Sequence, residues 1–230
     1  NEKFPDLESL EKTLNKAFRY FKYYFPEKEV PNLVSYISRF NYPFFTVSDY
    51  IGIGLDMYLG TESEFYQRLG LPAYQIQNMF PEKIPSDILA NWGNALFPFN
   101  DSTENVLSHL VHEGKLIYFL RNLLPDQPDS LIMGFTESQM KWCKANEQQM
   151  WTYLVEEKLV FSSDPMNYRK LVNPAPFTSF FSSESPGRAA VWIGYNIVQE
   201  YARRNPDKDL ADLMNENNYQ EILKLSRYNP

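Results

Sequence analysis

Cysteine is almost absent from the chain, which has a single one, Cys143, among 230 residues. One cysteine cannot form an internal disulfide, and it excludes a zinc ribbon built on cysteine ligands. The residues around Cys143 follow a helical pattern, so we expect a small buried side chain there rather than a nucleophile. Long apolar runs are also missing, because none approaches the roughly 20 residues that a membrane-spanning helix requires.

Positive charge is scarce as well. The 22 lysines and arginines are outnumbered by 29 aspartates and glutamates, which gives a net charge of −7. No basic stripe with interleaved aromatic residues occurs, so we exclude nucleic acid as a partner. The sequence also lacks a G-x-S-x-G nucleophile elbow, a glycine-rich phosphate loop and an EF-hand pattern, which removes three common kinds of functional site.

Aromatic residues, in contrast, are abundant and make up 16% of the chain. Most such rings pack in a core or at its rim, and a groove lined with rings, for a peptide or a glycan, is the alternative interpretation. The length of 230 residues suits one generous domain. No repeat, low-complexity tract or linker interrupts the chain, so the sequence predicts a single domain over residues 1–230.

The first part of the chain predicts one helix and two strands. Leucine and phenylalanine recur every three or four positions over 5–25, a helix that Pro26 ends. Residues 32–40 are rich in β-branched and aromatic side chains and predict a strand. Residues 50–60 predict a second strand, in which apolar residues alternate with Gly52 and Gly54. The bare glycine face of this strand would let another backbone or a ligand come close.

From about residue 62 onward the pattern is helical, divided by prolines and by capping motifs. The predicted helices cover 62–69, 72–79, 86–97, a segment from 101–104 to just before Pro125, 137–158, 164–172, 188–204, and one or two short helices within 207–227. A loop rich in proline and serine fills 173–187. The expected fold class is therefore α+β, mostly helical with a small N-terminal β-sheet.

The stretch HLVHEGKLIYFL, residues 109–120, contains both histidines of the chain. His112-Glu113 begins like the signature H-E-x-x-H, in which two histidines bind one zinc ion and the glutamate acts as general base on the metal-bound water. The second histidine position holds Leu116, which has no lone pair for a metal. The simplest interpretation is a core helix whose histidines are hydrogen-bonded within the protein.

A metal site of different composition remains open. His109 lies three residues before His112 on the same stripe of the helix. Glu147 on the next long helix is a candidate third ligand, although a solvated carboxylate is the simpler interpretation of that residue. Arg188, where a later helix begins, is a candidate partner for Glu113, in a salt bridge that would stand where a cation otherwise sits.

Six segments carry a resemblance to a known family. They are GLDMYLG (54–60), LPAY (71–74), HEGKLIYFL (112–120), WCKANEQQMWTYLVEEKLVFSSDP (142–165), NPAPFTSFFSSESPGR (173–188) and VWIGYNIVQEY (191–201). They run across most of the chain, and the stretches E-G-K-x-x-Y-F-L and E-S-P-G-R-x-x-V-W-I-G are the most specific. Together they resemble the gliding motility lipoprotein GldB family. That family is in turn similar to predicted zinc-dependent proteases in which a strand precedes an H-E-x-x-H helix.

The resemblance implies a zincin-like α+β domain that is exported and held in the bacterial cell envelope, in the periplasm or at the outer membrane. It also implies a lipid anchor on an N-terminal cysteine, which this chain does not contain. On the family pattern His112 matches the first zinc-binding histidine and Glu113 the general base, whereas Leu116 replaces the second histidine. The resemblance therefore implies a scaffold that kept its fold and gave up its metal.

Two functions are consistent with these observations. The first is a non-enzymatic envelope lipoprotein that binds a partner protein or peptide and needs no cofactor. Its site would be a remnant of His112, Glu113, Leu116, Glu147 and Arg188, or a groove at the Gly52/Gly54 edge of the strand, where a peptide adds by backbone pairing. The second is a zinc-dependent hydrolase of the metallopeptidase type that uses His109, His112 and Glu147 as ligands and Glu113 as base. Glycan binding through exposed tryptophan and tyrosine rests on composition alone.

Overall fold

The computed structural model describes residues 3–230, apart from the side chain of residue 103. Over these residues it confirms an α+β chain that is mostly helical with a three-stranded sheet. The chain divides into two compact units, Asn1–Ala95 with Leu120–Gly134 and Leu96–Phe119 with Phe135–Pro230. The single domain stays a prediction. Within the described residues, no helix combines the length and the apolar character needed to cross a membrane.

The elements follow the predicted order closely. They are α1 (Glu8–Tyr24), β1 (Asn32–Tyr36), β2 (Phe44–Val47), β3 (Tyr50–Gly54), α2 (Glu64–Arg68), α3 (Ala73–Ile76), α4 (Ile84–Leu96), α5 (Val106–Leu123), α6 (Asp129–Met133), α7 (Glu137–Glu156), α8 (Pro165–Val172), α9 (Ala190–Arg204), α10 (Leu210–Asn215) and α11 (Tyr219–Ser226). Short 3-10 helices cover Leu55–Tyr58, Pro81–Lys83 and Asp101–Thr103. The helix α6 has five residues and the strand β2 has four, too few for a periodic pattern, and the sequence predicted neither. The strand predicted over 32–40 ends earlier, at Tyr36.

The core of the first unit is built on α1. Its predicted apolar stripe buries Leu14 and Phe21, and Phe21 stacks on Phe25 just beyond the helix. The ring of Phe21 also lies 4.3 Å from the ring of Trp92 on α4, measured between centroids. Full burial of one such aromatic side chain contributes roughly 2–3 kcal/mol, so these rings hold α1 against α4.

The sheet has the order β1-β3-β2, with β1 parallel and β2 antiparallel to β3. The prediction that Gly52 and Gly54 lie at a sheet edge is therefore wrong, because β3 is hydrogen-bonded on both sides. The bare glycine face is also filled from within the unit. A Cβ at Gly52 would overlap the ring of Phe45, its neighbour across the strands, and one at Gly54 would overlap the carbonyl oxygen of Tyr42.

The predicted strand over 50–60 ends early, at Gly54, and continues as a 3-10 helix. The turn directs the buried carboxylate of Asp56 at the loop that follows β1. Asp56 accepts hydrogen bonds from the backbone N–H groups of Ser38, at 2.9 Å, and Phe40, at 2.8 Å. Burial alone would raise the pKa of Asp56, but these hydrogen bonds outweigh it and lower the pKa. Arg39 and Phe40 adopt left-handed backbone angles in this loop.

Capping sets two helix starts in the second unit. The predicted start of α5 at 101–104 is wrong, because Asn105 caps the helix instead: its side chain accepts from the N–H of Ser108, and its own N–H donates to the Ser108 hydroxyl, each at 2.9 Å. The predicted start of α7 is confirmed, since Thr136 and Gln139 form a capping box. Cys143 on α7 is fully buried, as expected.

Candidate functional site

The two helices α5 and α9 cross at a pair of glycines in the second unit. A Cβ at Gly114 would overlap the carbonyl group of Gly194, and a Cβ at Gly194 would overlap the carbonyl group of Leu110. The backbones of the two helices are therefore in direct contact. Glycine inside a helix costs about 1 kcal/mol of stability relative to alanine. The close crossing explains why glycine stands at both positions, because any larger residue would overlap the facing backbone. It also brings Glu113 near the start of α9.

Glu113 forms an ion pair with Arg188. The Arg188 Nη2 atom lies 2.7 Å from Glu113 Oε2, and each side chain is 29% exposed. The structure thus forms the contact that the sequence suggested for this pair. A guanidinium at this distance holds the carboxylate in a fixed orientation, so one of the two Glu113 oxygens is committed to Arg188.

The loop before α9 presents Arg188 through hydrogen bonds centred on Thr178. The buried Thr178 hydroxyl donates to the carbonyl oxygen of Pro186 and accepts from the N–H of Ala189, each at 2.8 Å. The Ser185 hydroxyl accepts from the Thr178 N–H at 3.1 Å. Arg188 follows with a left-handed φ of 54°, a conformation that costs a non-glycine residue roughly 1 kcal/mol or more. The loop therefore holds the arginine at this position against local strain.

His109 lies between two aromatic rings. Its ring stacks on that of Tyr168, with centroids 3.9 Å apart, and on that of Phe99, with centroids 4.4 Å apart. Its Nε2 atom lies 3.0 Å from Glu104 Oε1. The hydrogen bond from His109 is the main cause that lowers the pKa of Glu104. This ring is held as a packing element, with one nitrogen committed to a carboxylate.

His112, about one turn beyond His109 on α5, and Lys115, nearly two turns beyond it, are both buried. Lys115 Nζ donates to the carbonyl oxygen of Glu216 at 2.7 Å and lies 5.7 Å from the centre of the Tyr219 ring. Burial lowers the pKa of Lys115 to about 8. Burial, with a smaller contribution from the charge of Lys115, lowers the pKa of His112 to about 4. The His112 ring is therefore neutral at neutral pH.

Glu147 on α7 is bound by two ring donors. Trp192 Nε1 on α9 donates to one carboxylate oxygen and the Tyr228 hydroxyl, near the end of the chain, donates to the other, each at 2.8 Å. Burial, followed by the charge of Glu147, raises the pKa of Tyr228. Glu147 is thus a structural link between two helices and the C-terminal segment, rather than the solvated carboxylate of the simpler prediction.

The alternative zinc site is not assembled by these residues. Across residues 3–230, no three or more histidine, cysteine, aspartate or glutamate side chains are arranged to hold a metal ion. His109 is committed to Glu104 and Glu147 to its two ring donors, while the buried Leu116 is apolar. The donor set His109, His112 and Glu147 therefore does not fit a zinc ion.

Sequence reasoning missed the partners that determine this arrangement. Two aromatic rings elsewhere in the chain, Phe99 and Tyr168, stack on His109. Two further rings, Trp192 and Tyr228, donate hydrogen bonds to Glu147. One available signal was Gly114, because a glycine in the interior of a helix generally needs a packing reason. The buried Lys115, next to it in the motif E-G-K, was a second.

Of three comparisons with known proteins, the one with protein families gave a match. Neither the curated proteins nor the solved structures gave a match to this chain. A family model described as gliding motility protein GldB matches residues 1–230, which is the whole chain. The chain therefore belongs to the GldB family of gliding-motility lipoproteins, which is associated with the cell envelope.

Proposed function

We propose that this chain is a non-enzymatic lipoprotein that binds a partner protein or peptide, on a scaffold derived from zincin-like metallopeptidases. The ion pair between Glu113 and Arg188 is the observation that carries the proposal. A general base must direct a free carboxylate oxygen at a bound water. Here one oxygen of the carboxylate at that position is held by a guanidinium at 2.7 Å, which fixes the orientation of the whole group, and a loop presents that guanidinium through hydrogen bonds and a left-handed backbone.

The surrounding residues support the same proposal. Glu147 ties α7 to α9 and to the C-terminal segment, and His109 is stacked between two rings. Both residues stabilise the packing of the second unit, so this structural role accounts for them without a role in catalysis. The helix that would carry a peptidase motif then serves as a rigid support for a binding surface.

The proposal also includes a cellular location that is more specific than family membership shows. We infer an exported protein in the periplasm or at the outer membrane, attached by a lipid on an N-terminal cysteine. The partner is then an envelope protein, or an extended segment of one.

Chemical cross-linking in intact cells tests the binding function. Tagged wild-type chain and a Glu113→Gln variant, expressed at equal levels, are cross-linked, purified and analysed by quantitative mass spectrometry. We expect a recurrent envelope protein with both chains, since the variant keeps the shape of the side chain. Absence of any recurrent partner with the wild-type chain would contradict the proposal.

Metal analysis tests the alternative of zinc hydrolysis. A zinc hydrolase requires one tightly bound zinc per chain, and structural or catalytic sites of this kind bind the ion stoichiometrically. We expect protein purified without chelators, and then offered zinc, to retain far less than one equivalent. Stoichiometric zinc that disappears in His112→Ala would favour the hydrolase.

A further inference from the structure

A cavity of about 470 Å³ lies between α1 and β1 in the first unit. Leu10, Leu14 and Phe18 of α1 form one wall. The other wall is formed by Leu33 and Ser35 of β1, with Ile53 of β3 behind them. A cavity bounded by a helix and a strand has the shape that an extended chain occupies when it adds to a sheet.

The strand β1 has a free edge beside this cavity. It is the outermost strand of the order β1-β3-β2, and its Asn32 N–H donates to the carbonyl oxygen of Asp49 at 2.7 Å. In a parallel ladder alternate residues face the partner strand. Asn32, Val34 and Tyr36 thus face β3, and the N–H and C=O groups of Leu33 and Ser35 point away from the sheet.

The sequence of β1 does nothing to protect that edge. Proteins usually shield an edge strand with a charged residue or a proline inside it, whereas β1 reads Asn-Leu-Val-Ser-Tyr. Val34 is 38% exposed and Ile37, just after the strand, is 65% exposed. An unprotected edge next to an apolar groove is typical of a surface that pairs with another chain.

The negative charge of the groove favours a basic peptide over an acidic one. Glu11 is the only charged residue that lines the cavity among the residues described. It is exposed on α1 and has no ion pair within the described part of the chain. A lysine or arginine on the incoming segment would complement this carboxylate, and an acidic segment would be repelled.

We infer that this groove binds an extended peptide segment of the partner, which adds to the free edge of β1 as a fourth strand. Alternate apolar side chains of the segment face α1, and a basic side chain pairs with Glu11. Backbone pairing with Leu33 and Ser35 supplies affinity, and the groove supplies specificity. This inference rests on the proposed binding function. It places the peptide at the edge of β1, and not at the Gly52/Gly54 edge of β3 that the sequence suggested.

Selection from a displayed library of random nonapeptides, panned on the full chain, tests the inference. We expect the selected peptides to alternate apolar residues and to carry a lysine or arginine. In NMR titrations with such a peptide, the shifted amides should lie in β1 and α1. A failure to select any binder, or shifts confined to another surface, would overturn the inference.

A proline at Ser35 tests the backbone pairing. Proline is tolerated in an edge strand where the N–H faces outward, so Ser35→Pro should keep the sheet and remove one donor to the peptide. We expect Ser35→Pro to weaken peptide binding by about tenfold or more, and the control Ser35→Ala to bind normally. Circular dichroism confirms that both variants are folded. Equal binding by Ser35→Pro and Ser35→Ala would contradict the inference.

Charge reversal tests the role of Glu11. Glu11→Lys should weaken the selected basic peptides, while Glu8→Lys, on the same helix but outside the cavity lining, should not. Equal effects of the two variants would show a general charge effect and contradict the assignment of Glu11.

If Ser35→Pro also keeps the partner captured in cells, the groove is wrong and the binding function stands. If the wild-type chain captures no partner, the binding function itself fails. Self-association through β1, seen by analytical ultracentrifugation and lost in Ser35→Pro, would replace the partner segment with a second copy.

Discussion

Arg188 reaches from the loop before α9 to Glu113 on α5, with Nη2 and Oε2 2.7 Å apart. The pair joins the two most specific segments of the family resemblance, E-G-K and E-S-P-G-R. Beside it the backbones of the same two helices touch at Gly114 and Gly194. The motifs therefore describe one packed crossing of helices in the second unit.

A double-mutant cycle on Glu113→Gln and Arg188→Gln should give a coupling free energy of about 1 kcal/mol, because both side chains are partly buried. Urea denaturation of the two single variants and the double variant measures it. The exposed pair Glu64 and Arg68 is the matched control and should give roughly 0.3–0.5 kcal/mol. A coupling no larger than the control would mean that the ion pair adds no stability.

The contact between Gly114 and Gly194 predicts that alanine at either position lowers the free energy of unfolding. Alanine at an ordinary helical glycine stabilises by about 1 kcal/mol, whereas Gly114→Ala and Gly194→Ala would place a methyl group on backbone atoms of the facing helix. Each should lower the free energy of unfolding by roughly 2 kcal/mol or more, measured by denaturation. An increase in stability in either variant would show that the helices do not touch at this point.

Acid should destabilise the chain through His112. Its pKa is about 4 in the folded chain against the ordinary 6.5 of a histidine, so the unfolded chain takes up a proton that the folded chain excludes. Stability should therefore fall as the pH drops from about 6.5 to about 4, by up to roughly 3 kcal/mol. Comparing the wild-type chain with His112→Gln over this range isolates the effect. Parallel pH profiles would contradict the burial of a neutral ring.

Lys115 should produce a second dependence at alkaline pH. Its folded pKa of about 8 lies below the ordinary 10.5, so the folded chain loses its proton first and gains stability as the pH rises from 8. Relative to Lys115→Met, the wild-type chain should gain up to roughly 3 kcal/mol towards pH 10.5. Thermal unfolding at successive pH values measures the difference. A constant difference would mean that the ammonium is solvated.

The sequence predicted what local patterns determine. The apolar stripe of α1, the cap at Thr136 and the burial of Cys143 each depend on residues close together in the chain, and all three are confirmed. The suggested pairing of Glu113 with Arg188 is also formed, although the two residues lie 75 positions apart in the chain.

Apart from the pairing of Glu113 with Arg188, the contacts between residues distant in the chain were not predicted. The end of β3 at Gly54 depends on Asp56 bonding a loop more than fifteen residues earlier, and the central place of β3 depends on strand order. Glu147 looked like a solvated carboxylate because Trp192 and Tyr228 meet it only after folding. These contacts are set by tertiary packing and leave no periodic signal in the sequence.

The most direct test of the central claim is a complementation assay with Glu113→Gln. The variant is expressed at the wild-type protein level in the host bacterium after deletion of its own copy of the gene. We propose that Glu113 serves in its ion pair and not as a base, so we predict that the variant restores the phenotype lost on deletion. A folded variant, present at the wild-type level, that fails to restore it would contradict the account and return Glu113 to a catalytic role.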